Sequence, residues 1–299
     1  MDILLASCLH KPELVAKFHI PRFRQRLAVV QAWGVREGER IVDIGCGQGE
    51  SCLVLALQVG RHGHVTGIDP AQLDYGHPFT MREAQEHIRD SVLGPRISFY
   101  PLDTASYLAK LDKQANMIFD SAALCHSLWY FPNEGVVHSL FASLAQAKIA
   151  RIYLAEWCLA PSHESQVPHI LAAKAEALLY RYRPPSEPGL REQNVRAGVN
   201  QQAILRAAND AGFVVIRERL LTPEKDMLEG HLEVEYVLGD LFQQRVAEAD
   251  LSEGQEAEID ACIRHLRSET ERMKSMGMST MSSADVWGAS VKGLPALLD

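Results

Sequence analysis

A glycine-rich turn between two apolar runs constrains this chain more than any other feature. The segment VDIGCGQGE, residues 42–50, places Gly45, Gly47 and Gly49 at every second position. Glycine loses more backbone freedom on folding than any other residue, so three in one turn require a steric or conformational reason. The apolar run before the turn predicts a strand, and ESCLVLALQVG predicts a helix after it. Such a corner is the usual ligand-binding point of a doubly wound α/β sheet.

Strands and helices alternate from residue 40 onward, as in a mainly parallel sheet with helices on both faces. The predicted strands are RIVDIG, HVTGID, RISFYPLD, ANMIFDSAA, ARIYLAEWCL, FVVIRERLL and ADVWGASVKG. The segment from HVTGID to Leu93 is predicted to be mostly helical. Apolar residues at helical spacing also predict helices before the first strand, and Gly34 ends the last of these.

The acids around the glycine turn narrow the choice of ligand. The dinucleotide fingerprint GxGxxG does not fit, because Glu50 occupies the place of its third glycine. Asp43 lies two residues before the first glycine and adds a second negative charge. Two carboxylates disfavour a phosphate-bearing ligand and favour a positively charged one. S-adenosylmethionine (SAM), with a sulfonium, an ammonium group and no phosphate, meets this requirement.

The turn and the segments after it resemble the class I SAM-dependent methyltransferases. VDIGCGQGE matches the family's acid-x-Gly-x-Gly-x-Gly cofactor motif. In GIDP, Asp69 and Pro70 stand where the family places the acid that binds the ribose hydroxyls. In PLDT, Asp103 and Thr104 stand where an acid or amide approaches the adenine. Ser121, at the predicted end of the fourth strand, is assigned by the same resemblance to the methionine portion of SAM.

The resemblance also implies the fold, which is a doubly wound, seven-stranded, mostly parallel α/β sheet with an antiparallel last strand. It covers roughly residues 40–160, 200–222 and 284–293. N-terminal helices precede this sheet, and helical insertions follow strands 5 and 6. The chain then divides into an N-terminal helical lid (1–38), a SAM-binding Rossmann-like domain (39–160, 200–222 and 284–299) and helical insertions that form the acceptor-site cap (161–199 and 224–283).

The methyl acceptor is expected over the carboxyl ends of the fourth and fifth strands, where open α/β sheets bind ligands. His126 is either the general base, because imidazole titrates near neutrality, or a loop histidine hydrogen-bonded to backbone. Trp129 and Tyr130 either line an apolar pocket or anchor their loop. Glu156 and His163, after the fifth strand, are candidate substrate contacts. We predict no metal site, because the several carboxylates of a metal-dependent enzyme do not assemble in this sequence.

Composition argues against several other functions. The net charge of −8 disfavours nucleic acid as the main partner, since phosphate backbones are bound by basic surfaces. No apolar stretch approaches the roughly 20 residues that span a bilayer, and MDILLASCLHKPELVAKF lacks the basic start of a secretory signal. Six single cysteines without a CxxC pair are typical of buried thiols in a reducing compartment. We expect a cytoplasmic protein without a membrane partner, and a homodimer formed through the helical insertions.

The sequence therefore predicts a methyltransferase that moves a methyl group from SAM to an oxygen, nitrogen or sulfur of a small organic acceptor in specialised metabolism. Two other functions share the same turn. One is a SAM-binding protein that catalyses a cyclisation or rearrangement without methylation, and the other is a non-catalytic SAM-binding partner protein. The turn does not separate them, because all three bind SAM.

Overall fold

A single seven-stranded sheet organises the chain. The computed structural model describes residues 1–111, 119–184, 195–196, 198–276 and 281–293. The strand order is β3-β2-β1-β4-β5-β7-β6, and β7 runs antiparallel to both of its neighbours. The strands are β1 (Arg40–Ile44), β2 (His64–Ile68), β3 (Ile97–Tyr100), β4 (Ser121–Cys125), β5 (Arg151–Trp157), β6 (Phe213–Leu221) and β7 (Val286–Gly293). The predicted fold class is confirmed.

Helices cover both faces of this sheet. They are α1 (Asp2–Ser7), α2 (Ile20–Trp33), α3 (Glu50–Val59), α4 (Met81–Asp90), α5 (Thr104–Leu111), α6 (Glu134–Gln146), α7 (Val167–Tyr182), α8 (Gln201–Asp210), α9 (Glu229–Leu238), α10 (Asp240–Ala247) and α11 (Glu253–Ser275). In β1, Ile41 faces the apolar core shared with α2 and α3, whereas Val42 and Ile44 face the core shared with α6 and α8. This alternation is the period of two expected of a strand buried on both faces.

Two element boundaries differ from the sequence prediction. In the described residues the fourth strand spans Ser121–Cys125, and Phe119 and Asp120 are not part of it; residues 115–118 of the predicted strand lie outside the described residues. The segment after β2 is not mostly helical: residues 69–80 form a loop, because Pro70, Gly76 and Pro78 interrupt helical geometry. The helix α4 begins only after Thr80, whose side chain caps it in a reciprocal pair with Glu83.

The N-terminal segment is only partly separate from the sheet. Phe23 in α2 is fully buried, and the Trp33 indole donates a hydrogen bond of 2.7 Å to the carbonyl of Leu154 in β5. The Ser290 hydroxyl in β7 donates to the Trp33 carbonyl at 2.8 Å. Helix α2 therefore belongs to the helical layer of the sheet, and only the residues before it, 1–19, remain a candidate lid.

The two insertions share one apolar core, which we call the cap core. Buried side chains of α7, α9, α10 and α11 form it, and those of α11 include the predicted Ile259, Ile263 and Leu266. The predicted capping box of Ser252 and Gln255 opens α11. Parts of two predicted regions lie outside the described residues. They are residues 185–194, 197 and 277–280 of the predicted insertions and residues 294–299 of the predicted cofactor domain.

Two whole-chain expectations concern membranes and thiols. Among the residues that the structure describes, no helix has the length and apolar character needed to cross a membrane. All six cysteines lie in the described part, each carries a free thiol, and all except the half-buried Cys262 are buried.

Candidate active site

The three glycines of the turn are required for three different reasons. All have positive φ, at 73° for Gly45, 52° for Gly47 and 94° for Gly49. A Cβ on Gly45 would lie 2.6 Å from the Cβ of Ser127, and one on Gly49 would lie 2.9 Å from the ring of Phe99. A Cβ on Gly47 would meet nothing within 4 Å. Only Gly47 therefore presents bare backbone to open space, whereas the other two glycines allow close packing inside the protein.

Side chains from two other elements hold the main chain of Gly47. One carboxylate oxygen of Asp69 accepts a hydrogen bond from the Gly47 amide and the other accepts one from the Ala71 amide, both at 2.9 Å. Gln85 Nε2 donates to the Gly47 carbonyl at 2.9 Å. Pro70 lies exposed beside Asp69, directly after β2. Their position after the second strand is as predicted, and their contact with a cofactor stays a prediction.

Asp43 lies beneath the turn and has no exposed surface. Its Oδ2 accepts hydrogen bonds from the Ser51 hydroxyl at 2.6 Å and the Cys52 thiol at 3.1 Å. Its Oδ1 is buried and has no hydrogen-bond partner among the described residues. Burial raises the pKa of Asp43 to about 6, although both hydrogen bonds act in the opposite direction. One carboxylate, ionised at neutral pH, therefore lies under the glycine turn.

Glu50 does not supply the second negative charge that the sequence argument assigned to this turn. Its Oε2 lies 2.9 Å from Arg26 Nη2, and its Oε1 lies 3.7 Å from Arg22 Nη1. Burial raises the pKa of Glu50, but the two arginines outweigh it and leave the pKa below its ordinary value. The predicted second unpaired negative charge at the turn is therefore wrong, because α2 places two guanidinium groups against this carboxylate.

Asp103 and Thr104 lie at the start of α5, after β3. The Asp103 carboxylate caps this helix, since it accepts hydrogen bonds from the Ser106 amide at 2.8 Å and the Ser106 hydroxyl at 2.7 Å. These bonds lower the pKa of Asp103. Capping accounts for the aspartate by itself, and each oxygen keeps a lone pair for the predicted contact with adenine.

Ser121 lies at the wrong end of the sheet for its predicted role. It is the first residue of β4 and pairs with Ile41 of β1, so it lies at the amino ends of these strands. Its buried hydroxyl donates to Glu39 Oε2 at 2.8 Å. The error follows from the boundary of β4: the prediction placed Ser121 near the carboxyl end, and the strand in fact begins there.

His126 lies directly after β4 in a left-handed conformation, with φ of 56°. Its Nε2 is 3.3 Å from the Gln25 side-chain oxygen, and its Nδ1 is 3.8 Å from Glu156 Oε1. Its ring packs against Trp157 with centroids 4.6 Å apart. Its backbone amide donates to Ala155. Both ring nitrogens therefore face named polar groups, one from α2 and one from β5.

Glu156 organises the loop after β4 from the end of β5. It is 1% exposed, and its two oxygens accept 3.0 Å hydrogen bonds from the amides of Trp129 and Trp157. Trp129 is buried and its indole nitrogen lacks a partner among the described residues. Tyr130 is 44% exposed. The pKa of Tyr130 lies above its ordinary value, mainly because its hydroxyl is desolvated and secondly because of the negative charge of Glu233.

His163 is separate from these groups. It is exposed at the start of the first insertion, where it precedes the short 3₁₀ turn Glu164–Gln166 and its amide donates to the Gln166 side chain at 3.3 Å. No hydrogen bond or ring contact within the described ranges joins it to His126 or Glu156. The predicted placement of His163 beside the acceptor gains no support from the structure.

Sequence analysis missed several groups that the fold brings to this site. Gln25 and the two arginines of α2 reach it from the N-terminal segment, and their i, i+3, i+4 spacing is the one signal that could have identified them as a shared polar face. Arg196, whose amide donates to the Trp129 carbonyl at 2.8 Å, has a pKa that burial lowers and that Tyr130 and Asp69 raise. The backbone of Arg196 therefore contacts the loop after β4.

His169 is a further group that the sequence did not indicate. This α7 residue is fully buried beside Trp129 and Trp157, and its Nδ1 accepts a 2.8 Å hydrogen bond from the Ala284 amide. Burial lowers its pKa to about 3, so the ring is neutral. His169 therefore contacts the loop after β4, the end of β5 and the residues just before β7.

Two cavities lie elsewhere. One of about 440 Å³ lies at the amino ends of the strands and is lined by Glu39, Asp120 and Arg151 among others. The second, of about 370 Å³, lies along α7 and α11. Neither includes a residue of the glycine turn.

Comparison with known proteins agrees with this geometry. A family described as "Methyltransferase domain" matches residues 36–176. Methyltransferase phomM' of Diaporthe leptostromiformis is 35% identical over an alignment of 346 residues, which covers 98% of this chain and 89% of that protein. The chain is a class I SAM-dependent methyltransferase.

Solved structures share the fold of this methyltransferase. A cyclopropane-fatty-acyl-phospholipid synthase-like protein from Lactobacillus casei superimposes with a TM-score of 0.77 at 26% identity, covering 97% of this chain and 98% of that one. A geranyl diphosphate methyltransferase superimposes with a TM-score of 0.51 at 17% identity, covering 94% and 82% of the two chains. This methyltransferase thus shares its overall fold with both proteins.

Proposed function

We propose that this methyltransferase binds SAM on the Gly47 turn beside Asp69 and transfers its methyl group to a small organic acceptor held at the carboxyl ends of β4 and β5. The open space at Gly47 carries the proposal. Gly47 is the one glycine of the turn whose Cβ position is free of other atoms within 4 Å. Its backbone is also already fixed by Asp69 and Gln85, so a ligand there meets an ordered surface.

The residues present fit SAM. The Asp69 carboxylate is held by two amides, and each oxygen keeps lone pairs that suit a pair of ribose hydroxyls. The buried charge of Asp43 beneath the turn favours a cation over a phosphate. When bound, SAM supplies a methyl group activated by its sulfonium. The protein must hold the acceptor in line with that methyl group and exclude water.

His126 is the proposed base for acceptors that lose a proton. Glu156, with Oε1 3.8 Å from Nδ1, would stabilise the imidazolium that forms when the ring takes this proton. Gln25 fixes the orientation of the ring through the 3.3 Å contact at Nε2. The aromatic side chains Trp129 and Tyr130 would form the apolar wall on which the acceptor rests, and α7 and α9 would cover it. The oxygen, nitrogen or sulfur identity of the accepting atom is left to experiment, and the homodimer stays a prediction.

A binding and product experiment tests the function. Purified protein is incubated with methyl-labelled SAM and a library of small phenols, amines and thiols, and products are analysed by mass. We expect S-adenosylhomocysteine together with a product that has gained one methyl group. SAM binding without S-adenosylhomocysteine from any acceptor would instead support the non-catalytic partner protein, and an altered acceptor without a methyl gain would support the cyclase.

The cofactor site is tested with a matched pair of variants. Asp69→Asn is expected to weaken SAM binding by about tenfold or more in calorimetry, because one charge-assisted hydrogen bond to the ribose is lost. Asp74 is exposed in the same loop, so Asp74→Asn serves as the control and should bind SAM as the wild type does. Equal affinities for all three proteins would show that the loop after β2 does not hold the ribose.

A further inference from the structure

A cysteine, a histidine and a glutamate converge where the N-terminal segment meets the glycine turn. Cys8 follows α1, His19 precedes α2, and Glu50 opens α3. His19 Nδ1 lies 4.0 Å from Cys8 Sγ and 4.0 Å from Glu50 Oε1, and all three atoms lie within 4.8 Å of one another. From these contacts we propose that Cys8, His19 and Glu50 bind one zinc ion, which fastens residues 8–19 onto the start of α3.

The donor set and its spacing suit zinc. Thiolate sulfur, imidazole nitrogen and carboxylate oxygen are its usual ligands, and bond lengths of about 2.0–2.3 Å put neighbouring donors about 3.6 Å apart. The two 4.0 Å separations at His19 need to shorten by less than about 1 Å, and the Cys8–Glu50 separation, which is at most 4.8 Å, by at most about 1.2 Å. Cys8 gives up its thiol proton to solvent as the Zn–S bond forms, and water completes the tetrahedron.

The surroundings of the three donors are those of a ligand shell. Cys8 is 7% exposed, and the side chains of His19 and Glu50 are 13% and 16% exposed. Arg26 pairs with Oε2 of Glu50 at 2.9 Å, while Oε1 lies 4.0 Å from His19 Nδ1 and 3.7 Å from Arg22 Nη1. A hydrogen-bonded partner on the outer oxygen of a ligating carboxylate is the usual way in which such a ligand is oriented.

The segment between the donors is at most half-buried. The 3₁₀ turn Pro12–Leu14 and the π-helical turn Val15–His19 contain no buried residue. π-helical turns are rare and frequently occur at functional sites. Here the turn ends at His19 and brings its ring to Cys8. A zinc ion would supply the attachment that apolar burial does not, at the helix that follows the cofactor turn.

Cobalt substitution tests the site without reference to methyl transfer, so its result is independent of the proposed function. Cobalt(II) is titrated into metal-free protein, and the near-ultraviolet charge-transfer band of a thiolate ligand is recorded. We expect saturation at one equivalent in the wild type and in Cys262→Ser, loss of the band in Cys8→Ser, and at least about tenfold weaker binding in His19→Gln. Absence of a saturable band in the wild type, or an unchanged band in Cys8→Ser, would overturn the proposal.

Alkylation of the wild-type protein decides the question even where a variant fails to fold. Zinc is added to metal-free protein, the thiols are treated with iodoacetamide, and the modified cysteines are located by peptide mass mapping. Zinc is expected to protect Cys8 and to leave the alkylation of Cys262 unchanged. Equal alkylation of Cys8 with and without zinc rules the site out.

Discussion

Single residues around the glycine turn divide between ligand contact and internal packing. Gly45 and Gly49 are needed because Ser127 and Phe99 occupy the space of a side chain, and only Gly47 is open. The two acids also differ in their surroundings. The charge of Glu50 is paired with Arg26, whereas Asp43 is buried and one of its oxygens has no hydrogen-bond partner among the described residues. A motif that reads as one unit in sequence is therefore several residues with separate physical roles.

Asp43 gives a pH-dependent prediction at this scale. Its pKa rises from 3.8 in the unfolded chain to about 6 in the fold because of burial, so the folded state holds its proton more tightly. The stability it contributes is complete below about pH 3.8 and is lost as the pH rises through about 6. Relative to Asp43→Asn, the wild type should lose up to about 3 kcal/mol of unfolding free energy across this window.

Urea unfolding at several pH values measures this difference. Asp90→Asn, an exposed substitution at the end of α4, serves as the control and should show the wild-type pH dependence. A gap between wild type and Asp43→Asn that stays the same at every pH would contradict the raised pKa.

At the scale of elements, α2 ties the cofactor turn to the second insertion. Arg22 Nε lies 2.7 Å from Glu229 Oε1 at the start of α9, and its Nη1 lies 3.7 Å from Glu50 at the start of α3. A second pair of contacts joins Arg24 to Glu224 and Asp226 just before α9. The side chains of Arg22 and its two carboxylate partners are 16–27% exposed. Those of Arg24 and its two partners are 43–61% exposed.

Burial predicts unequal effects for these two arginines. Arg22→Gln should lower the unfolding free energy by about 1–3 kcal/mol, because it removes the cation that pairs with the partly buried Glu229 carboxylate and leaves Glu50 with one arginine, Arg26. Arg24→Gln should cost less than about 1 kcal/mol, since solvent screens exposed pairs. Denaturant unfolding gives both values, and hydrogen exchange should rise in the first turn of α9 only for Arg22→Gln. Equal losses for the two variants would show that Arg22 does not connect these elements.

For the whole molecule, α7 makes the cap and the sheet one structure. Its Ile170 and Ala173 pack into the core beneath the sheet, and its Leu171 and Ala175 pack into the cap core. The insertions are thus continuous in sequence and packing with the cofactor domain. We expect the chain to unfold as one cooperative unit.

The four tryptophans make this expectation measurable, because all lie in the two cores of the sheet and none in the cap core. Leu266→Ala removes a fully buried side chain from the cap core and should cost about 2–5 kcal/mol. The tryptophan fluorescence transition should shift with it and coincide with the circular dichroism transition. Leu241 in α10 is 70% exposed, so Leu241→Ala should change neither the fluorescence transition nor the circular dichroism transition. If Leu266→Ala left the midpoint of the fluorescence transition unchanged, the cap would unfold separately from the sheet.

The sheet, the glycine turn that follows β1 and the family were all predictable from the sequence. These follow from local signals: apolar runs of strand length, a glycine turn at one strand end, and acids such as Asp69 and Asp103 directly after the strands that carry them. Each signal lies within a few residues of the structure that it predicts. The face of α11 and its capping box were predictable for the same reason.

The contacts among those residues could be learned only from the three-dimensional fold. Glu50 loses its predicted role because arginines more than twenty residues earlier in the chain pack against it, and Ser121 loses its role because the strand begins there. Gln25, Arg196 and His169 join the site from three distant segments, and Cys8 joins His19 and Glu50. Long-range pairing of side chains depends on how helices pack on the sheet, and the local periodicity of a single sequence does not contain that packing.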